Sequence, residues 1–204
     1  MDKSLQVSWI YDKIAEPYAR EFLTPSEHIE KFLALLPENA KILDVGCGVG
    51  VDAHYMMSEG FQVTGIDLSK EMITLAEQKY PQIDFRNQDI RELDYREMAF
   101  DGIVASYSLI HIPKKDILEL LKNFYLLLKH NGKIYISLQG GISGEIYVRE
   151  PFKPDEELFL NIVTFQEIKK LLRKAGFSIV KNFERPSRSK VEFDFTKLFI
   201  IAKK

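Results

Sequence analysis

The chain has 204 residues, 46% of them hydrophobic and 28% charged, with a formal net charge of −2 at pH 7. That length supports a substantial core, and the near-neutral balance gives no basic field for capturing nucleic acid or an anionic membrane. A single cysteine, Cys47, excludes an intrachain disulfide, and no apolar run approaches the length of a membrane span.

In chain order, residues 5–36 carry an amphipathic helical pattern that Pro17 interrupts or restarts. Thr24-Pro25-Ser26-Glu27 reads as a helix start, with Thr24 as N-cap, Pro25 in the first helical position and Glu27 closing a capping box. Ile29, Phe32, Leu33 and Leu36 then share one face, and Pro37 ends the helix. Residues 1–37 thus form a helical cap placed to pack over the ligand edge of the strands that follow.

Lys41–Val45 is the first expected strand. A helix with Ala53, Met56 and Met57 inward follows Gly50, and Gly60 stops it. Residues 61–67 form strand two. Ser69 caps a helix that buries Met72, Ile73, Leu75 and Ala76, and residues 83–86 form a short strand three. Strand four is Phe100–Ser106. Pro113 opens a helix burying Ile117, Leu120, Leu121, Phe124, Leu127 and Leu128, which Asn131-Gly132 stops. Strand five spans 133–138. Residues 140–163 break the rhythm and read as an insertion. Thr164 and Glu167 form a capping box for a helix that Gly176 ends. The runs 177–183 and 192–202 read as a terminal hairpin. Such alternation demands an α/β fold with a mostly parallel sheet covered on both faces and one antiparallel strand.

Chemistry concentrates in Ile42-Leu43-Asp44-Val45-Gly46-Cys47-Gly48-Val49-Gly50. An acid ends a buried strand, and glycines at alternate positions turn tightly into a helix, at the strand edge where open α/β sheets bind ligands. The dinucleotide fingerprint requires a glycine where Val51 stands, so that reading fails. The pattern that remains resembles motif I of the class I S-adenosylmethionine-dependent methyltransferases of the small-molecule type. Gly65-Ile66-Asp67-Leu68-Ser69 is similar to the second motif of that family, and Asn87-Gln88-Asp89-Ile90 to its third. Phe100-Asp101-Gly102-Ile103-Val104 through His111-Ile112-Pro113 resembles its fourth-strand motif, and Tyr11 to Ala15 with Tyr18 the start of many members.

The resemblance implies a single domain over 1–204, with a Rossmann-like, doubly wound, seven-stranded, mostly parallel sheet, a C-terminal antiparallel hairpin and the N-terminal helical cap. It implies S-adenosylmethionine as cofactor, S-adenosylhomocysteine as product, and no metal. Asp67 would accept bonds from the ribose hydroxyls. Asp89 would take the adenine amino group beside the Ile90 backbone, with Leu68 and Met72 on the adenine faces. Asp44 has two open readings: it holds the cofactor's ammonium, or it bonds turn amides and fixes the loop. Gly46 and Gly48 shape the turn, Cys47 is a small turn residue, and Gly46 is expected to tolerate alanine least. Ser106 closes the cofactor site from strand four. Tyr11, Tyr18 and Arg20 are candidates to approach the cofactor's carboxylate.

The acceptor is expected over the end of strand four, near Ser106-Tyr107-Ser108 and His111. His111 alone there has a pKa suited to base chemistry near neutrality, yet positioning is its favoured role. The 140–163 insertion is expected to act as a lid, with Glu145, Tyr147, Arg149 and Phe152 lining the acceptor space. His28, His54 and His130 lack metal-ligand spacing. Arg185, Arg188 and Lys190 cluster at the hairpin turn; a nucleic-acid contact is the alternative there to the bland reading that the interspersed acids favour. The expected activity is in-line methyl transfer to an O, N, S or C atom of a small-molecule acceptor, in the cytoplasm, with neither membrane nor nucleic acid as partner. Methylation of RNA or protein, or a non-catalytic cofactor-binding subunit, are the alternatives.

Overall fold

The computed structural model describes residues 2–188 and 192–204. Helix α1 (Lys3–Glu21) begins where the Asp2 carboxylate accepts the Ser4 amide at 2.8 Å. It runs through Pro17 without a break, contrary to the expected interruption. Burial of Val7, Ile10, Ile14 and Ala15 on one face offsets the hydrogen bond that the proline removes.

The expected start at Thr24 does not form. Residues 22–28 are a loop, and α2 (Ile29–Leu33) begins after His28, whose φ is 65°. Tertiary bonds outcompete the local cap. The Ser26 amide and hydroxyl both donate to Asp52, at 2.7 and 2.6 Å, and Glu27 pairs with Arg185.

Strands β1 (Lys41–Val45), β2 (Gln62–Asp67), β3 (Asp84–Asn87), β4 (Phe100–Ser106) and β5 (Leu128–Gly140) are parallel. Between them run α3 (Val51–Ser58), α4 (Lys70–Lys79) and α5 (Lys114–Leu127). After the ribbon described below come α6 (Phe165–Ala175) and the last two strands, β8 (Ser178–Arg185) and β9 (Thr196–Lys203). The seven-stranded order is β3-β2-β1-β4-β5-β9-β8, and β9 is antiparallel to both its neighbours. Thr164 and Glu167 form the expected capping box on α6, and Gly176 closes that helix at φ 104°.

Three stretches differ from expectation. Asn131-Gly132 does not end α5; the helix stops at Leu127, and the pair lies inside β5, with Asn131 at φ 62° beside an irregularity in the β4–β5 pairing. Residues 140–163 form an antiparallel ribbon of β6 (Gly144–Glu150) and β7 (Lys153–Ile162). Residues 192–195 are outside β9. Ser189, Lys190 and Val191 lie outside the described residues, and with them the Lys190 part of the expected basic cluster.

The main core fills the space between the sheet, α1, α5, α6 and the ribbon, with Ile10, Ile103, Leu121, Phe124, Phe159 and Leu172 all buried. Burial of this apolar surface holds α1 and the ribbon against the same sheet edge.

Candidate functional site

The carboxyl ends of β1, β2, β3 and β4 meet along that edge, where an open α/β sheet places its ligand. The turn after β1 is held from behind: the Gly46 and Cys47 amides both donate to the Ile66 carbonyl, at 2.8 and 2.9 Å. Gly46 has φ 75°, and a Cβ there would overlap the Ser108 Cβ. Gly48 has φ 52°, and its missing Cβ would meet nothing nearer than Tyr18 Cε1 at 3.9 Å. A ligand can therefore reach the backbone at Gly48.

Asp67 ends β2 and braces this turn. Its Oδ2 accepts the Gly48 amide and its Oδ1 the Ser69 amide, both at 2.8 Å. Burial raises its pKa, and those two amides pull it back. Each oxygen keeps lone-pair capacity toward the cavity. Asp44 lies behind the turn, 1% exposed, and its Oδ2 has no hydrogen-bond partner among the described residues. Burial, then the Asp52 and Asp67 charges, push its pKa well above the carboxylate range. The turn amides are taken by Ile66, not by Asp44. Cys47 is buried and burial pushes its thiol pKa well up, which keeps it an unreactive thiol.

Two cavities flank the turn. The first has an empty volume of about 770 Å³ and is lined by α1 (Ser4, Val7, Ser8, Tyr11, Tyr18), by Gly46 and Gly48, and by Asp67, Leu68 and Met72. Gln88, Asp89 and Ile90 after β3, and Ser106, Tyr107, Ser108 and His111 after β4, complete it. Its wall is half tied down: Arg91 clamps the Asp89 carboxylate and also reaches Asp2 at the start of α1. The Ser4 and Ser108 hydroxyl oxygens are buried in it without partners among the described residues.

His111 ends a 3-10 turn (Leu109–His111) and connects three elements. Its Nδ1 lies 3.0 Å from the Phe159 carbonyl on β7 and its Nε2 2.9 Å from the Tyr11 hydroxyl on α1. A carbonyl only accepts, so Nδ1 carries the proton and Nε2 accepts from Tyr11. Burial lowers the His111 pKa to about 4, leaving a neutral ring at pH 7. An aromatic cluster continues from Tyr11 to Tyr18 and Phe22, which meet Phe152 at the ribbon turn with ring centroids 6.5 and 6.1 Å apart. Glu150 holds that turn by accepting the Phe152 and Lys153 amides.

The second cavity, with an empty volume of about 1200 Å³, shares Tyr11, Tyr18, Gly46, Gly48, Ser106 and Tyr107 with the first. It extends past Asp44 and Asp52 to Glu27, Gln139, Arg185, Glu192, Phe193, Lys197 and Phe199. Ser26 seals its roof, bonded to Asp52 and to Ser106, whose hydroxyl also meets Ser137. Burial raises the Asp52 pKa against the pull of the Ser26 bonds.

Of the residues singled out in the sequence, Asp44, Gly46, Cys47, Gly48, Asp67, Leu68, Met72, Asp89, Ile90, Ser106, Tyr11, Tyr18 and His111 all line one or both cavities. Arg20 does not; it is exposed and bonded to Glu16. Nor do Glu145, Tyr147 and Arg149, which alternate on the exposed face of β6. Glu145 pairs with Lys3 and accepts the Lys114 amide. Tyr147 packs edge-on against Phe159. Sequence reasoning missed Asp52, Gln139 and Lys197. Asp52 lies two residues past Gly50, a legible signal; Gln139 and Lys197 are joined only by the β5–β9 register.

The family described as "Methyltransferase domain" matches residues 42–132, which span the glycine turn to Gly132. Phosphoethanolamine N-methyltransferase 1 of Zea mays is 34% identical over 169 residues, covering 77% of this chain and 31% of the relative. The chain therefore spans about a third of that relative's length. Among solved structures, a SAM-dependent methyltransferase from Methanosarcina mazei superposes with a TM-score of 0.79 at 24% identity, covering 89% of this chain and 99% of the other. The Burkholderia thailandensis 1,6-didemethyltoxoflavin-N1-methyltransferase, solved with 1,6-didemethyltoxoflavin and S-adenosylhomocysteine bound, gives 0.74 at 24% identity, covering 98% and 88%. Residues 42–132 thus match the methyltransferase-domain family, and the sheet order and glycine turn give the chain the fold of the S-adenosylmethionine-dependent methyltransferase structures.

Proposed function

We propose that the protein transfers the methyl group of S-adenosylmethionine to a small-molecule acceptor. The observation that carries the reading is Asp44: a buried carboxylate oxygen without a partner among the described residues, in a cavity wall that also includes Gly48. Such an oxygen calls for a cationic ligand, and the cofactor's ammonium fits it. When bound, S-adenosylmethionine supplies a methyl group activated on a sulfonium, suited to in-line displacement onto an O, N, S or C atom.

The chain's own residues bind, orient and exclude water. Asp67 accepts from the ribose hydroxyls with its remaining lone pairs. Asp89, already oriented by Arg91, and the Ile90 backbone face the adenine, and Leu68 and Met72 pack on it. Tyr18 approaches the carboxylate end. Tyr18, Phe22 and Phe152 keep water from the junction of the cavities. His111 is a positioning residue: it locks Tyr11 and the 3-10 turn to the ribbon, and its depressed pKa leaves it a weak base. The cofactor's amino-acid end reaches Asp44 at the glycine-turn end of the second cavity, and the acceptor takes the remainder, with Tyr107 between the two ligands. In this reading residues 1–204 act as one methyltransferase unit, and α1 with the 140–163 ribbon forms the lid. Glu145 and Arg149 then act at the lid's outer face. A reducing cytoplasm suits the single free thiol.

Calorimetry with S-adenosylhomocysteine, followed by radiolabel transfer from S-adenosylmethionine into a cell extract separated by size, tests the proposal. Binding and label in the small-molecule fraction are expected. Absence of cofactor binding, or label only in RNA or protein, would overturn it.

A further inference from the structure

Lys197 has no part in holding the cofactor, yet it is 2% exposed and lines the second cavity. It sits on β9 directly opposite Gln139 of β5 and Arg185 of β8, so the three side chains share one face of the sheet. Its Nζ donates to Gln139 Oε1 at 2.8 Å and to the Phe193 carbonyl at 2.6 Å. Both partners are neutral. No carboxylate among the described residues lies within ion-pair distance of it.

Its neighbour Arg185 is in the opposite condition. Glu27 and Glu192 both pair with the guanidinium, and Glu192 also accepts the Arg188 amide. Glu192 is thus committed to Arg185, and Glu192 and Asp194 act on Lys197 only from beyond ion-pair distance, so among the described residues the buried ammonium has neutral contacts alone. That arrangement is costly in an empty cavity and favourable around an anion. Burial lowers its pKa to about 8, so it is mostly charged at pH 7. Tyr107, Phe193 and Phe199 line the same cavity and offer flat apolar surface.

We infer that Lys197 anchors an anionic group of the acceptor, so that the acceptor class is a small aromatic acid, a carboxylate or a phosphate monoester, whose ring packs on Tyr107, Phe193 and Phe199. This rests on the methyltransferase reading, with the second cavity as the acceptor site.

The test is calorimetry in two stages on the full chain. S-adenosylhomocysteine is titrated first; its failure to bind would overturn the methyltransferase reading itself. Benzoate, phenyl phosphate and the neutral isostere benzamide are then titrated, at millimolar concentration, into the saturated protein and into Lys197→Met. At least one anion should bind tenfold or more tightly than benzamide, and Lys197→Met should abolish that preference while still binding S-adenosylhomocysteine. Preference for benzoate identifies a carboxylate acceptor, and preference for phenyl phosphate a phosphate monoester. Equal binding of anions and benzamide, or an unchanged preference in the variant, would overturn the inference. If Lys197→Met does not fold, the native protein decides. Raising the pH from 7 to 9.5 discharges Lys197, while Arg185, Glu192 and Asp194, the charged groups facing it, are residue types that do not titrate there. Anion binding should fall tenfold over that interval; pH-independent binding would refute the anchor.

Discussion

Asp67→Asn separates the two duties assigned to Asp67. Its oxygens each accept one backbone amide, from Gly48 and from Ser69, at 2.8 Å. Asparagine has one acceptor oxygen, so its NH₂ must face one of those amides. Leaving one amide unpaired costs about 1–3 kcal/mol of folding stability. Removal of a buried charge offsets part of that, because burial already disfavours the ionised form. Cofactor affinity has no such offset. Losing charge-assisted bonds to two ribose hydroxyls should weaken binding by about 2–3 kcal/mol, roughly 30- to 150-fold in Kd. Calorimetry with S-adenosylhomocysteine reads the affinity, and urea unfolding reads the stability. A folded variant that binds within about threefold of the native protein would show that the ribose is not held at Asp67, and the cofactor's placement would fail with it.

Gly46→Ala combines a left-handed φ with overlap at the Ser108 Cβ; a loss of about 2–4 kcal/mol is expected, read as a lower urea midpoint at unchanged slope. For Asp44→Asn the two effects have opposite signs. The folded pKa is raised, so the ionised carboxylate destabilises the ligand-free protein increasingly as pH rises above its unfolded value. The variant should melt higher at pH 7 without ligand, yet gain less from S-adenosylhomocysteine in a thermal-shift assay. His111 is depressed from 6.5 to about 4, so its contribution is present above pH 6.5 and lost as pH falls toward 4, about 3 kcal/mol in all. His111→Gln should flatten that acid limb of the stability curve, and an unchanged limb would show that the imidazole is not buried neutral.

Much of the architecture was legible because it is local. The glycine turn, the Ser69 cap and the Thr164 capping box each lie within a few residues, and each fixes an element end where expected. The candidate site was legible where it depends on motif residues next to strand ends: Asp44, Asp67 and Asp89 line the cavities without further folding information. Local signals misled where long-range partners captured the same side chains. Thr24 to Glu27 has the composition of a helix start, but Asp52 and Arg185 hold Ser26 and Glu27 in a loop. The ribbon had a readable pattern, with Ile146 and Val148 alternating against Glu145, Tyr147 and Arg149, so its exposed face could have been assigned in advance. Lys197 could not: its meaning comes from lying between Gln139 and Arg185 across three strands, a register invisible along the chain.

Helix α1 spans the first cavity like a bar latched at both sides. Asp12 accepts from the Ser69 hydroxyl and the Glu71 amide of α4, while Lys3 and Lys13 reach Glu145 and Glu156 of the ribbon. The ribbon latches are partly exposed ion pairs, weak singly and screened by salt, whereas the Asp12 side is a helix cap. Raising salt weakens the ribbon latches and spares the Asp12 cap, while the Tyr11–His111–Phe159 bonds and the shared apolar core still join α1 to the ribbon.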